Sequence, residues 1–421
     1  MASVGTRAPT TPRIPGVEGL RALAATAIVL LHVWSIPATA SSVMGTAWLS
    51  VLAEPLNDGV TLFFVLSGFL LWRPFASAIM SGRDRPSLRR YARNRLLRIL
   101  PAYWAVLLIS ALVLQSVRIV PLADHPVDAA LRDPTLLLKD ALLVQNLAPS
   151  TLSSGLIPAW SLAVEIAFYA LVPLLALLAA SLTTASASRR RRLVAALAPA
   201  ALLLGVGLIS KLVATFVVPG PEAAFDDTWH SVLDRSFLTH ADLFSAGMLV
   251  ALLRVELEHG RFVLTERTRI GLNRVVVYSP PFLVLGFLLV PRYLYEPLVA
   301  LIFAALLAQV VLCSANRPSP LARLLDRQPF VGVGVISYSV FLWSFPATVF
   351  LLQHGLLLRG SGPWQVAANS AVVVPVLVAL SSLTYLLVER PALKLRRPAR
   401  RVPMPAKAGI LATEGAPLRR S

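Results

Sequence analysis

Long apolar runs alternate with short polar connections along the entire chain, and the runs are similar in length. Segments long enough to cross about 30 Å of hydrocarbon at about 1.5 Å per residue fall near 17–38, 59–80, 97–117, 158–181, 192–217, 235–254, 275–291, 295–314, 330–354 and 366–388. The first run is followed by another within about 25 residues, so it reads as a retained span rather than a signal peptide. The pattern predicts an all-α integral membrane protein, a bundle of about ten transmembrane helices.

The connections alternate in charge, which gives the spans a direction. "SGRDRPSLRRYARNRLLR" carries seven arginines, "SRRRR" four, "RVELEHGRFVLTERTRIGLNR" five and "NRPSPLARLLDR" three, while the tail after Glu389 adds nine Arg and Lys. The intervening connections are poor in bases or contain acids such as Glu222, Asp226, Asp227 and Asp234. Under the positive-inside rule both termini are cytoplasmic. The expected organisation is a cytoplasmic N-terminal segment over 1–16, a ten-helix membrane domain over 17–390, and a basic, disordered cytoplasmic tail over 391–421.

Composition narrows the function classes. The 421 residues are 56% hydrophobic and 14% charged, with mean hydropathy +0.71, which places the chain among multi-spanning membrane proteins. The net charge of +18 does not point to nucleic acid, because the bases sit between apolar runs rather than among aromatics on a soluble domain. A single cysteine, Cys313, excludes an intramolecular disulfide and a cysteine-based zinc site. The longest polar stretches, 118–157 and the tail, are too short to fold unaided as catalytic domains. Any chemistry must lie inside the bundle or at its mouths. No P-loop, GxSxG, HExxH or dinucleotide fingerprint occurs, and no metal is expected.

Several ionisable groups stand where lipid-facing side chains would be apolar. In "GLRALAATAIVLLHVW", Arg21 and His32 are eleven residues apart, which returns to within about 20° of one helix face and separates them by about 16 Å along the axis. Glu18 lies one turn before Arg21 and is placed to pair with it. Counting inward from span ends puts Glu165 of "PAWSLAVEIAFYALVPLL", His240 and Asp242 of "FLTHADLFSAGMLVALL", and Ser67 of "GVTLFFVLSGFLLW" at a depth similar to His32. A histidine, a carboxylate and hydroxyls at one level can form a general-base site. A buried polar network that only fixes helix packing is the alternative, favoured for Asp242 and Ser67. Arg95 and Arg98 in "RRYARNRLLRILPAYW" suit either a phosphate-bearing ligand or anionic lipid headgroups.

Taken in order, "RIPGVEGLRALAATAIVLLHVW", "FFVLSGFLLWRPF", "RNRLLRILPAYW", "WSLAVEIAFY", "HADLFSAGMLVALL", "ISYSVFLW" and "LVERPALKL" resemble the membrane acyltransferase 3 family across essentially all ten runs. That family moves acyl groups, commonly acetyl from acetyl-CoA, onto hydroxyls of surface polysaccharides, glycolipids or small natural products. The resemblance implies a bacterial multi-pass enzyme of the inner (plasma) membrane, with acyl-CoA as donor, a glycan, glycolipid or small-molecule acceptor, and membrane lipids as surroundings. Its basic-residue and histidine motif falls on Arg21 and His32, its paired arginines on Arg95 and Arg98, and its Trp-Ser-Leu-x-x-Glu stretch on Trp160, Ser161 and Glu165. The resemblance makes His32 the base and Glu165 its orienter or an acceptor-binding group, with Arg21, Arg95 and Arg98 on CoA phosphates. Glu18, Ser67, Trp160, Ser161, His240 and Asp242 are supporting candidates.

Three departures qualify the match. Ile166 replaces a second acid after Glu165, and Ser344 in "FLWSFP" stands where many members carry histidine. No fused extracytoplasmic domain is evident after the last run, so the chain is expected to finish the transfer itself or pass the acyl group to a separate extracytoplasmic partner. From a different class, a transporter or flippase would use Arg21, His32, Glu165 and Asp242 as an intramembrane path. The lack of internal repeats, and of Gly or Pro breaks midway along paired helices, argues against it.

Overall fold

A computed structural model describes residues 14–38, 51–117, 131, 133–184, 186–218, 220, 228–313 and 319–396. Most of the expected N-terminal segment, the stretch 118–130 and the tail beyond Arg396 lie outside the described residues. Ten helices among the described residues are long and apolar enough to cross a membrane. We label them α1 (Val17–Ser35), α2 (Gly59–Ser81), α3 (Leu88–Leu108), α4 (Ala159–Ser181), α5 (Arg189–Phe216), α6 (Phe237–Glu258), α7 (Glu266–Leu289), α8 (Arg292–Val311), α9 (Phe330–Gln353) and α10 (Pro363–Thr384).

The exteriors of these helices are apolar. On α7 Phe282 is 64% and Leu289 76% exposed, and no residue of the helix is buried. Such a surface is stable only against lipid or a partner, and helices satisfy their own backbone groups there. The chain is a multi-pass membrane protein. Prolines lie inside most of the helices, including Pro74, Pro101, Pro173, Pro199 and Pro346, and the helices run through them. Two helices start earlier than their apolar runs: α3 at Leu88 and α7 at Glu266. Hydropathy marks the lipid-facing length, whereas Arg-rich turns are good helix formers that extend past it.

Packing is closest where glycines let backbones touch. A Cβ on Gly68 would lie 2.1 Å from the Phe244 carbonyl oxygen, and one on Gly247 1.9 Å from that of Val65, so α2 and α6 press together along their middles. α1 lies along α9 in the same way, and a Cβ on Gly334 would lie 2.0 Å from the Glu18 carbonyl oxygen.

The pairings also fix direction. Phe64 meets Trp160 and His240, Ser67 meets Glu165, and Arg73 meets Glu258, so α2, α4 and α6 run the same way. Arg21 meets Ser337 and His32 meets Ser344, so α1 and α9 are also parallel to each other. Gly59 at the start of α2 packs against Ala24 to Ile28 in the middle of α1, and Ser67, further along α2, lines a cavity with Arg21, nearer the start of α1, so the two sets are antiparallel. His32 therefore lies at the end of the bundle where α2, α4 and α6 begin.

Between α3 and α4 a short helix, Pro134–Ala141, opens on Asp133, whose carboxylate accepts from the Thr135 amide at 2.8 Å. Asp140 at its end is fully buried: Ser154 donates to its carboxylate at 2.8 Å and the Tyr103 hydroxyl donates to its carbonyl at 2.5 Å. Burial pushes the Asp140 carboxyl up from its ordinary 3.8 to about 7, the Ser154 bond offsetting only part. The unfolded chain loses this proton first, so the folded state loses stability, on the order of a few kcal/mol, as pH rises from about 4 towards 7. Thermal unfolding in lipid should show the melting temperature falling over that range, with a shallower slope in Asp140→Asn. An identical slope in the variant would remove Asp140 as its source.

Candidate active site

Arg21, Ser67, Arg98, Ser161, Glu165 and Tyr169, from α1, α2, α3 and α4, line one narrow cavity inside the bundle. Its volume is about 60 Å³, room for a few water molecules. Two arginines and one glutamate line it directly, and Glu18 and Glu389 stand behind the arginines. Each charged group is held in place. Glu165 Oε1 accepts from the Ser67 hydroxyl at 2.5 Å and from the Tyr169 hydroxyl, one turn further along α4, at 2.7 Å. The Arg21 guanidinium donates through Nε to Ser337 at 3.2 Å and lies 3.7 Å from Glu18. Arg98 lies 3.6 Å from buried Glu389 and sits over the Tyr338 ring; Ser339 donates to the other Glu389 oxygen. Arg95 lies just outside, its guanidinium 5.8 Å from the centroids of both Tyr91 and Tyr169.

His32 does not line this cavity. Its Nδ1 is 3.0 Å from Ser344 Oγ, and its ring meets Phe345 edge-on at 5.6 Å. The fully buried Ser344 donates its only hydroxyl hydrogen to the Phe341 carbonyl at 2.7 Å. Its oxygen must then accept from His32 Nδ1–H, and Nε2 is left with the lone pair that a base requires. Helix α9 links the two regions, because Phe341 lines the cavity and Phe345, one turn on, touches His32. Phe63 and Phe341, both lining the cavity, meet at 6.0 Å.

The depth comparison in the sequence grouped His32 with Glu165, Ser67, His240 and Asp242; the observed grouping is different. Ser67 and Glu165 share the cavity with Arg21, whose long side chain reaches inward from the start of α1. Trp160 and His240, 5.3 Å apart ring to ring, line a second cavity. Asp242 is bound to Lys211 at 2.6 Å. Distances counted from span ends ignore helix tilt and stagger, which are set by contacts such as Gly68 with Phe244.

Ser344, Tyr169, Glu389 and Lys211 acquire roles the sequence did not assign. Tyr169 follows Glu165 by one turn on the same face, and Lys211 is a lone cation in an apolar run, so both left a readable signal. If Ser344 positions His32, Ser344→Ala should lower the kcat of any His32-dependent reaction about five- to tenfold, the worth of one hydrogen bond. The KM for any ligand of the Arg21 and Arg98 cavity should stay unchanged. A KM effect with intact kcat would count against that role.

Comparison with known proteins bears on what this arrangement serves. Acyltransferase MdmB of Streptomyces mycarofaciens is 33% identical over 177 residues, 39% of this chain and 40% of that protein. Peptidoglycan O-acetyltransferase OatA of Listeria monocytogenes is 24% identical over 344 residues, 79% of this chain and 49% of that protein. Exopolysaccharide production protein ExoZ of Rhizobium meliloti is 26% identical over 352 residues, 82% of this chain and 91% of that protein. The chain thus spans less than half of the first two proteins' length and most of the third's. No solved structure matches. The acyltransferase domain (Acyl_transf_3) matches residues 14–386, a stretch that contains the whole arginine and glutamate cavity and His32, and the chain belongs to that acyltransferase family.

Proposed function

We propose that the chain is a membrane O-acyltransferase that moves an acyl group, acetyl in the simplest case, from cytoplasmic acyl-CoA to a hydroxyl of a cell-surface glycan or glycolipid. The observation that carries this reading is the pairing, along helix α1, of a cavity lined by the Arg21 and Arg98 guanidinium groups with an imidazole at His32 whose Nδ1 is engaged by Ser344. Two of the similar proteins carry peptidoglycan O-acetylation or exopolysaccharide production in their names, which supports a glycan acceptor. The charge pattern of the connections supports residence in the inner (plasma) membrane with both termini cytoplasmic.

On this reading Arg95, Arg98 and Arg21 form a basic track for the phosphates of the donor, to which guanidinium groups donate paired hydrogen bonds. Glu165, fixed by Ser67 and Tyr169, keeps the arginines apart and set between donors. Parting of Phe63 and Phe341 lets the thioester approach His32, which is about 16 Å from Arg21 along the helix axis. His32 Nε2 takes the proton of the acceptor hydroxyl as its oxygen forms a bond to the thioester carbonyl carbon. The carbon–sulfur bond then breaks, and the leaving thiolate recovers the proton from His32. Both substrates are held at once, so no covalent acyl-enzyme forms.

The test is release of free thiol from acetyl-CoA by the purified protein in lipid, with crude envelope glycans as acceptor and His32→Ala as the control. Release that depends on His32 is the expected result. Equal release by the variant, or none from wild type across acyl donors, would sink the reading, the second outcome favouring a transporter.

A further inference from the structure

Past α10 the chain continues through a turn of π-helix, Tyr385–Glu389, into a short helix, Arg390–Lys394, and both pack on α3. Glu389 anchors this segment: it is 2% exposed, accepts from the Ser339 hydroxyl and lies 3.6 Å from Arg98. The chain then carries Arg396 back towards the start of α3, where its guanidinium faces those of Arg98 and Arg95.

This is a poor setting for a cation. Arg396 is half-buried. Burial, and after it the charges of Arg98 and Arg95, pull its pKa from the ordinary 12.5 to about 10, with Tyr169 and Glu389 opposing them. Its Nε and Nη2 are buried and meet no acceptor among the described residues, and the same holds for Arg95 Nε. The carboxylates nearby are engaged elsewhere: Glu389 by Ser339 and Arg98, Glu165 by Ser67 and Tyr169, and Glu18 by Arg21. Counted whole, the region sets Arg21, Arg95, Arg98 and Arg396 against Glu18, Glu165 and Glu389, four formal positive charges against three negative.

The donors have a shape as well as a charge. Nε–H and Nη2–H leave a guanidinium along one edge, the edge that pairs with two oxygens of a single oxyanion. Arg95 supplies a third N–H from the facing helix. Its guanidinium lies 5.8 Å from the ring centroids of both Tyr91 and Tyr169, which holds the plane between aromatic rings and leaves the edge for a ligand. A phosphate monoester offers three terminal oxygens and a charge of about −1.5 to −2 at neutral pH, which suits three donors on two cations. A carboxylate, with two oxygens and one charge, suits them less well.

We infer that Arg396 and Arg95 bind a terminal phosphate, a phosphate monoester, at the end of the bundle where α3 begins. The same chemistry belongs to a lipid headgroup and to a soluble phosphate ester, and the test separates the two. The inference comes from the donors themselves and does not rest on the acyltransferase reading, so thiol release has no bearing on it.

The test is thermal unfolding of the full-length protein in phosphatidylcholine nanodiscs, because a ligand that binds the folded state raises the melting temperature. In one arm phenyl phosphate is titrated, with benzoate as the carboxylate control and diphenyl phosphate as the diester control. In the other, phosphatidic acid, a monoester, or phosphatidylglycerol, a diester, is built into the disc. Stabilisation by phenyl phosphate assigns a soluble source, and stabilisation by phosphatidic acid alone assigns a lipid source. In either arm Arg396→Gln and Arg95→Gln should each raise the concentration required about tenfold or more, the worth of one charge-assisted hydrogen bond. Arg93→Gln, which removes an exposed arginine of the same helix, should leave it unchanged. Arg396 donates no hydrogen bond within the protein among the described residues, so Arg396→Gln without ligand should melt no lower than wild type. No stabilisation in either arm, equal stabilisation by the diesters or benzoate, or an equal loss in Arg93→Gln would overturn the inference.

Discussion

Replacing His32 with alanine should cut acyl transfer by about 10²- to 10⁴-fold, the range by which a positioned general base accelerates a reaction, while the protein remains folded. The expectation rests on the specific interactions of the side chain among the described residues, a hydrogen bond to Ser344 and an edge contact with Phe345. Losing these costs about 1 to 2 kcal/mol, which a bundle of this size tolerates. The fall should appear in kcat, because the groups assigned to the donor lie in another cavity. Arg98→Ala gives the contrasting pattern, a higher KM for acyl-CoA with a smaller change in kcat. Thiol release at saturating acetyl-CoA, with a melting curve in the same lipid, separates the two. A loss smaller than tenfold for His32→Ala would remove the histidine from the proton transfer.

The fold was legible because each apolar run is long enough to demand a helix. Where α3 and α7 begin was less legible: "LRRYARN" and "ERTRIGLN" are helical yet polar, and a hydropathy pattern reads only the part facing lipid. In the site, the shared face of Arg21 and His32 followed from their spacing on one helix, a local property. Which partners those two residues meet was not local. Glu165 belongs with Arg21 because Ser67 and Tyr169 hold it there, and Ser344, which looked like a missing histidine, engages His32 directly. The second cavity left no pattern in the sequence, since its lining residues come one or two at a time from the starts of four helices. The family resemblance carried the chemistry further than residue spacing could, and the match over 14–386 supports it.

Lys211→Met should be the most destabilising single substitution considered, by about 3 to 5 kcal/mol, the usual result of removing one partner from a buried ion pair. Lys211 is 5% exposed towards the end of α5, and its ammonium donates to Asp242 at 2.6 Å and to the Thr239 carbonyl at 2.5 Å, with Glu296 at 3.4 Å. The approach depends on Gly207, one turn earlier: a Cβ there would lie 2.5 Å from the Asp242 amide nitrogen. Methionine fills a similar volume, so the loss would come from charge rather than from a cavity. It leaves the buried Asp242 carboxylate without its cation, while Glu296 still has Arg292. Adding Asp242→Asn removes the stranded charge and should restore at least half of the stability. Thermal unfolding of the two single variants and the double variant in lipid gives the coupling directly. Additive losses would mean that Lys211 and Asp242 do not act as a pair. Full stability in Lys211→Met would mean that the network is not what joins α5, α6 and α8.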